Sequence, residues 1–464
     1  MLFLFKSISL DALLFYVNNS LALPIENLLL MKRTSISFTL VDVTNFKELL
    51  LSWSQQYSKI FWLDSNNYQT NYPTYDACLA IEENQVIKLS KTDNAFQQLS
   101  NFRKLVDDYI FGFLSYDLKN DIEQLSSTNK DELQFPSLFF FQPKKIIFIK
   151  ENIAIFSYLS AYASEITIDY NNILSFTNHL QAFEQNSQIN LKQQISKKSY
   201  LKKCKELLKH IHRGDIYEIN FCMEFYIQNH TFNPSTAFQK LNKISAPPFA
   251  AYFKIDELYL CCASPERYLK KESNLAISQP IKGTAKRDEN PTIDAQIKEA
   301  LRNNPKEQSE NIMIVDLVRN DLSKTAIKGS VKVEELCELY SFKQVHQLIS
   351  TVVAQVDKDI DPIILIKNTF PMGSMTGAPK ISAMKIIEEI EETKRGLYSG
   401  AVGYFAPNGD FDFNVVIRSI LHNATNKYTS FSVGSAITSL SNPEKEYEEC
   451  MLKGKAMMEV LSGK

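Results

Sequence analysis

A lysine fixed between an apolar strand and a glycine turn is the residue with most chemistry to offer in this chain. Lys282 lies in Gln279-Pro280-Ile281-Lys282-Gly283-Thr284-Ala285-Lys286-Arg287, after the apolar run Leu275 to Ser278. Taken alone it reads as solvated charge, since lysine is rarely buried. With Lys286 and Arg287 it also fits an anion-binding rim. As a nucleophile the amine must be neutral, which asks its pKa to fall by about 2 to 3 units through burial or neighbouring cations. Glu266, in Ser264-Pro265-Glu266-Arg267 at the end of the apolar strand Tyr259 to Ala263, offers a second function. A carboxylic acid there can protonate a leaving hydroxyl if its surroundings keep it un-ionised.

Carboxylates recur in helical spacing. Glu307 and Glu310 share a face of the helix suggested by Glu307-Gln308-Ser309-Glu310 and the apolar run after it. Ser441-Asn442-Pro443-Glu444 is a strong helix start, after which Glu446, Glu449 and Lys453 fall on one stripe. Each set alone is better explained as a solvated helix face. Brought together, the four carboxylates would repel unless a hard cation sat among them, and Mg²⁺ suits oxygen donors. Arg418, read inside the strand Phe413 to Ile420, either faces solvent or pairs with an anion. The glycine turn from Pro371 to Lys380 is not a P-loop, because Ala378-Pro379 separates Gly377 from Lys380. Among the six histidines there is no HExxH or zinc spacing, which argues against a zinc hydrolase, and His346 is as well explained by a structural role as by a catalytic one.

The elements that must position these groups are spread over 464 residues, enough for a large core. A net charge of −2 provides no basic field for nucleic acid or anionic membrane. Seven scattered cysteines without a CxxC pair imply a reducing cytoplasm. Residues 1–30 are too interrupted by polar side chains for a membrane span and are expected to be a mis-assigned or disordered extension, with Met31 the better start. Residues 31–180 read as a strand-rich N-terminal lobe, including a hairpin across Glu151-Asn152. Residues 181–195 are a polar linker. Residues 196–464 form the catalytic domain, opening with a helix from the N-cap Ser196 to Gly214. No internal repeat is present.

Taken together, these segments resemble the chorismate-binding family, which includes anthranilate, aminodeoxychorismate, isochorismate and salicylate synthases. The likeness runs from Ser199 to Leu461 through ASPER (Ala263 to Arg267), PIKGT, ENIMIVDLVRND (Glu310 to Asp321), GSVKV (Gly329 to Val333), Val345-His346, TGAPK and EYEE (Glu446 to Glu449). Ahead of it, Leu63-Asp64-Ser65 and Gly112 to Asp117 look like the partner lobe of the same synthases. The resemblance implies an α+β fold in which two large antiparallel sheets pack as a sandwich with helices outside.

Where anthranilate synthases carry alanine, aminodeoxychorismate synthases that use a covalent route carry lysine, so Lys282 implies amination of chorismate without pyruvate loss. The implied roles are Lys282 as nucleophile at C2 and Glu266 as acid for the C4 hydroxyl, with His346 near the ring. Glu310 and Glu449 would be Mg²⁺ ligands, supported by Glu307 and Glu446. Arg418, Lys453, Thr376, Tyr398 and the backbone at Gly434 would hold the substrate. No cysteine sits in a Gly-x-Cys-x-Gly elbow, so ammonia is expected from a separate glutamine amidotransferase subunit. Alternatives are an anthranilate synthase component I and a catalytically silent subunit that binds chorismate or tryptophan. Two departures stand out. Gly434-Ser435-Ala436 replaces a glycine run, with strain expected if the loop needs positive φ. Glu218 stands where glutamine is common, adding a carboxylate near the ring.

Overall fold

Two thirteen-residue strands, Ala77–Leu89 and Leu138–Lys150, pair along their whole length and belong to two sheets at once. The computed structural model describes residues 33–176 and 190–462. At the middle of this strand pair Glu82 takes φ +58° and the register shifts between Glu83 and Gln85, so the ladder bends there. The first half of Ala77–Leu89 continues through Lys59–Asp64, Phe249–Ile255, Leu258–Ser264, Ser419–Asn423 and Tyr428–Thr438 to Glu218–Gln228. From the first half of Leu138–Lys150 a second sheet runs through Ile110–Leu114, Ala401–Phe405, Phe411–Val415, Arg267–Glu272 and Leu275–Gln279 to Val345–Gln355. Ile281–Lys286 pairs with that last strand.

Each of these ladders is antiparallel, and strand alternation decides what lies on each face. Phe61 and Phe253 point between the sheets, where Phe61 meets Phe111 and Phe253 stacks on Phe113. Ile60, Trp62 and Tyr252, their neighbours in sequence, point outward into a second apolar cluster. That outer cluster is closed by helices Val43–Ser54, Lys197–Arg213, Pro234–Ser245 and Pro443–Ser462. The expected sandwich with helices outside is therefore present, with its sheets joined through the bent pair Ala77–Leu89 and Leu138–Lys150. Lys59–Asp64 pairs with Phe249–Ile255 and Ile110–Leu114 with Ala401–Phe405, so strands from 31–180 and 196–464 share both sheets.

Locally encoded elements form as their sequences predict. The helix Lys197–Arg213 is capped by Ser196, whose side chain accepts from Ser199 N, and it stops at Gly214. The hairpin across Glu151-Asn152 pairs Lys145 with Tyr158 and Lys150 with Ile153. The extension 1–30 and most of the expected linker lie outside the described residues. Within that linker Lys192–Gln193 adds a short strand beside Tyr226 and Phe225.

Candidate active site

A cavity with about 730 Å³ of open space lies where the second sheet meets the helices Pro305–Ser323 and Pro443–Ser462. Lys282 reaches it from Ile281–Lys286, in which Gly283 takes φ +91° and the register shifts between Ile281 and Thr284. This bulge, which an L-residue would adopt only under strain, turns the lysine out of the ladder.

Lys282 Nζ is 2.8 Å from Glu218 Oε1, and the two side chains are 11% and 1% exposed. Glu218 Oε2 has no hydrogen-bond partner among the described residues. Burial favours the neutral amine, but Glu218, Glu310 and Glu449 outweigh it and hold the ammonium above the ordinary lysine range. The depressed lysine expected from the sequence is thus not what these surroundings produce. Its nearest charges are carboxylates from three separate elements, not cations.

Glu266 lines the same cavity from the turn after Leu258–Ser264, its amide donating to Ser264 Oγ. Burial pushes its carboxyl up to about 7, with Ser374, Lys282 and Lys453 opposing. An acid that keeps its proton near neutrality is what protonating a leaving group needs.

The cavity also gathers Glu307, Glu310, Tyr398, Arg418, Gly434, Glu449 and Lys453. Burial raises Glu310 to about 7 and moves Glu307 in the same direction. Glu449 is only partly buried, and Lys453, 2.6 Å away, holds it below the usual carboxylate range against the desolvation it suffers. Lys453 also donates to Gly434 O at 3.0 Å. Arg418 is not inside a strand. Phe411–Val415 ends before it, Ser419–Asn423 begins after it, and Arg418 itself takes φ +53°. Gly434 lies in the continuous strand Tyr428–Thr438, and neither Ser435 nor Ala436 has positive φ, so the strain expected of that segment has no basis.

Three expected site residues lie elsewhere. His346 is 1% exposed, and its ring nitrogens meet Asp294 Oδ1 at 3.0 Å and Ser341 Oγ at 2.8 Å. Asp294 is in turn paired with Arg287, so the histidine ties a helix to a hairpin. Strand alternation is the reason: Gln347, one residue on, faces the cavity. Thr376 donates its hydroxyl to Met372 O and Gly373 O and accepts Asn220 N on its carbonyl, which spends it on the turn. Glu446 is buried behind Lys306, which bridges to it at 3.0 Å and to Glu310 at 3.6 Å. Among the described residues no three Asp, Glu, His or Cys side chains are gathered closely enough to hold a metal ion. Lys306 and Lys453 lie among the carboxylates, although Glu310 Oε1 and Glu446 Oε2 have no hydrogen-bond partner among the described residues.

Polar residues that the sequence does not single out also face the cavity, Ser374 and Gln347 among them. Both are buried, and Gln347 Oε1 has no hydrogen-bond partner among the described residues. Period-two alternation from His346 is the signal that would have found Gln347.

The backbone behind Glu218 is tightly fitted. Gly377 takes φ +152°, and a Cβ on it would lie 2.2 Å from Glu218 O and 2.9 Å from Ala383 Cβ. Gly377→Ala is expected to lower stability by roughly 2 kcal/mol or more and to displace the partner of Lys282. Thermal melts alongside chorismate affinity check this, and an unchanged Tm contradicts it.

The fold has solved counterparts among enzymes that use chorismate. It matches anthranilate synthase component I from Streptococcus pneumoniae (TM-score 0.72, 22% identity, 84% of this chain and 93% of that one). It also matches MenF, the menaquinone-specific isochorismate synthase of Escherichia coli (TM-score 0.71, 17% identity, 93% and 94%). Residues 54–459 match the model of the chorismate binding enzyme family, and the chain belongs to that family.

Curated relatives divide in name. A probable chloroplastic aminodeoxychorismate synthase of Oryza sativa subsp. japonica is 33% identical over 86% of this chain and 42% of its own length. Aminodeoxychorismate synthase component 1 of Escherichia coli K12 is 35% identical over 55% and 56%. An anthranilate synthase component I-like protein of Synechocystis is 32% identical over 76% and 72%. The chain spans less than two thirds of the length of both aminodeoxychorismate synthases.

Proposed function

We propose that the chain is the chorismate-aminating component of an aminodeoxychorismate synthase, forming 4-amino-4-deoxychorismate, the precursor of p-aminobenzoate and folate. The observation that carries this reading is Lys282 on the cavity wall, with Glu266 in the same cavity. Lys282 gives one proton to solvent or a neighbouring carboxylate and its amine attacks C2. Both ring double bonds shift, C1=C2 to C1=C6 and C5=C6 to C4=C5, and the C4–O bond breaks as Glu266 supplies the proton that makes the leaving group water. Ammonia then adds at C4 while the C2–Nζ bond breaks, and the proton it sheds compensates the departing amine. Two easier displacements replace one difficult one.

Arg418 and Lys453 would meet the substrate carboxylates, and Tyr398 and the Gly434 backbone would bound the ring. Glu310 and Glu449 would hold Mg²⁺, with Glu307 beside them. The fit rests on oxygen donors and on Glu310 Oε1, which has no hydrogen-bond partner among the described residues. Bound there, the ion would neutralise substrate carboxylate charge. Glu446 acts at one remove, through Lys306.

Ammonia would come from a partner glutamine amidotransferase, a reading supported by the component 1 naming of the bacterial relatives. Seven unpaired cysteines support a reducing compartment such as the cytoplasm. Among the described residues no helix is long and apolar enough to cross a membrane.

Incubation with chorismate, Mg²⁺ and ammonium tests the assignment. The expected product yields p-aminobenzoate only after a pyruvate-eliminating lyase is added. Anthranilate fluorescence without that lyase would overturn the assignment in favour of the second reading, which the name of the Synechocystis relative supports. A silent subunit would consume no chorismate at all.

A further inference from the structure

A second cavity, with about 470 Å³ of open space, abuts the first. Pro265, Gln347 and Arg418 line both, so these three side chains are the partition between them. The rest of its wall is largely apolar, with Pro247, Ala263, Phe342, Val345 and Met457. Gln347 is 3% exposed and its Nε2 is 3.4 Å from Thr284 Oγ1, while Oε1 has no partner among the described residues. A buried carbonyl is seldom left unpaired, so one kept on a partition between two cavities calls for a visiting donor. Arg418, beside it, repels cations.

We propose that the second cavity is the entry route of the small neutral nucleophile, ammonia, and that Gln347 Oε1 accepts its N–H as it crosses. This rests on the amination reading. Once chorismate fills the first cavity, the second reactant needs another way in. The apolar wall and Arg418 favour ammonia over ammonium, and the buried acceptor Gln347 Oε1 suits a donor the size of water.

The test is steady-state amination with ammonium chloride as the nitrogen source and chorismate saturating. Ala456→Phe, on the wall of the second cavity and outside the catalytic set, is expected to lower kcat/KM for ammonium about tenfold and to leave KM for chorismate within twofold. Val345→Phe narrows the cavity from the facing hairpin and serves if Ala456→Phe loses chorismate binding. Gln347→Leu is expected to lower kcat/KM for ammonium while chorismate still binds. Wild-type amination with kcat/KM for ammonium within twofold in the variants overturns the route alone. A wild type that never aminates chorismate removes the functional reading, and the route with it.

Discussion

Lys282→Ala is expected to lose amination by at least roughly 10²-fold while still binding chorismate within a few-fold, because the nucleophile is gone and the carboxylate-binding groups remain. The variant also carries a structural penalty that follows from one contact. Glu218 is 1% exposed and Lys282 is its ion-pair partner at 2.8 Å, so the alanine strands a buried carboxylate. Breaking one side of such a pair costs about 3–5 kcal/mol. The double variant Lys282→Ala with Glu218→Gln should regain most of that stability without regaining turnover. Chemical denaturation and single-turnover kinetics on both variants separate the two losses. Full turnover in the single variant would refute the nucleophilic role, and equal stability of single and double variants would refute the pairing.

Glu266→Gln is expected to lower kcat by about 10²–10⁴-fold, the usual worth of a positioned acid, with KM for chorismate little changed. The wild-type pH profile carries the complementary signature. Burial raises Glu266 to about 7, so the protonated acid is fully present below the ordinary carboxylate range and is lost as pH rises through about 7. kcat/KM should therefore decline on that limb with a slope of one proton, and the Gln variant should lack the limb. A profile flat between pH 6 and 8 in both enzymes would remove Glu266 from the proton-transfer step.

How far the sequence revealed this depends on how local each signal is. The helix from Ser196 to Gly214 and the hairpin at Glu151-Asn152 are written in neighbouring residues, and both formed as read. The pairing of Lys59–Asp64 with Phe249–Ile255 joins segments nearly two hundred residues apart and has no local trace. Lys282, Glu266, Arg418, Lys453, Glu310 and Glu449 were identifiable one by one, yet only the order of strands brings them to one cavity.

The errors have the same origin. The resemblance places His346 near the ring, whereas alternation in Val345–Gln355 turns Gln347 to the cavity. Arg418 looked like a strand residue because its neighbours are β-branched, and its positive φ is set by the join between two strands. The charge on Lys282 was misjudged because burial was visible in its apolar surroundings while its carboxylate neighbours were not. Glu218, noted only as an unusual glutamate, is the residue that pairs with it.

The central claim is that Lys282 becomes covalently joined to the substrate. Enzyme mixed with chorismate and Mg²⁺ without ammonia, then acid-quenched for intact-mass and peptide mapping, tests it directly. The account predicts a gain equal to chorismate less one water, located on Lys282 and discharged when ammonium is added. An enzyme that aminates chorismate at full rate yet shows no such adduct on Lys282 at any quench time would contradict it.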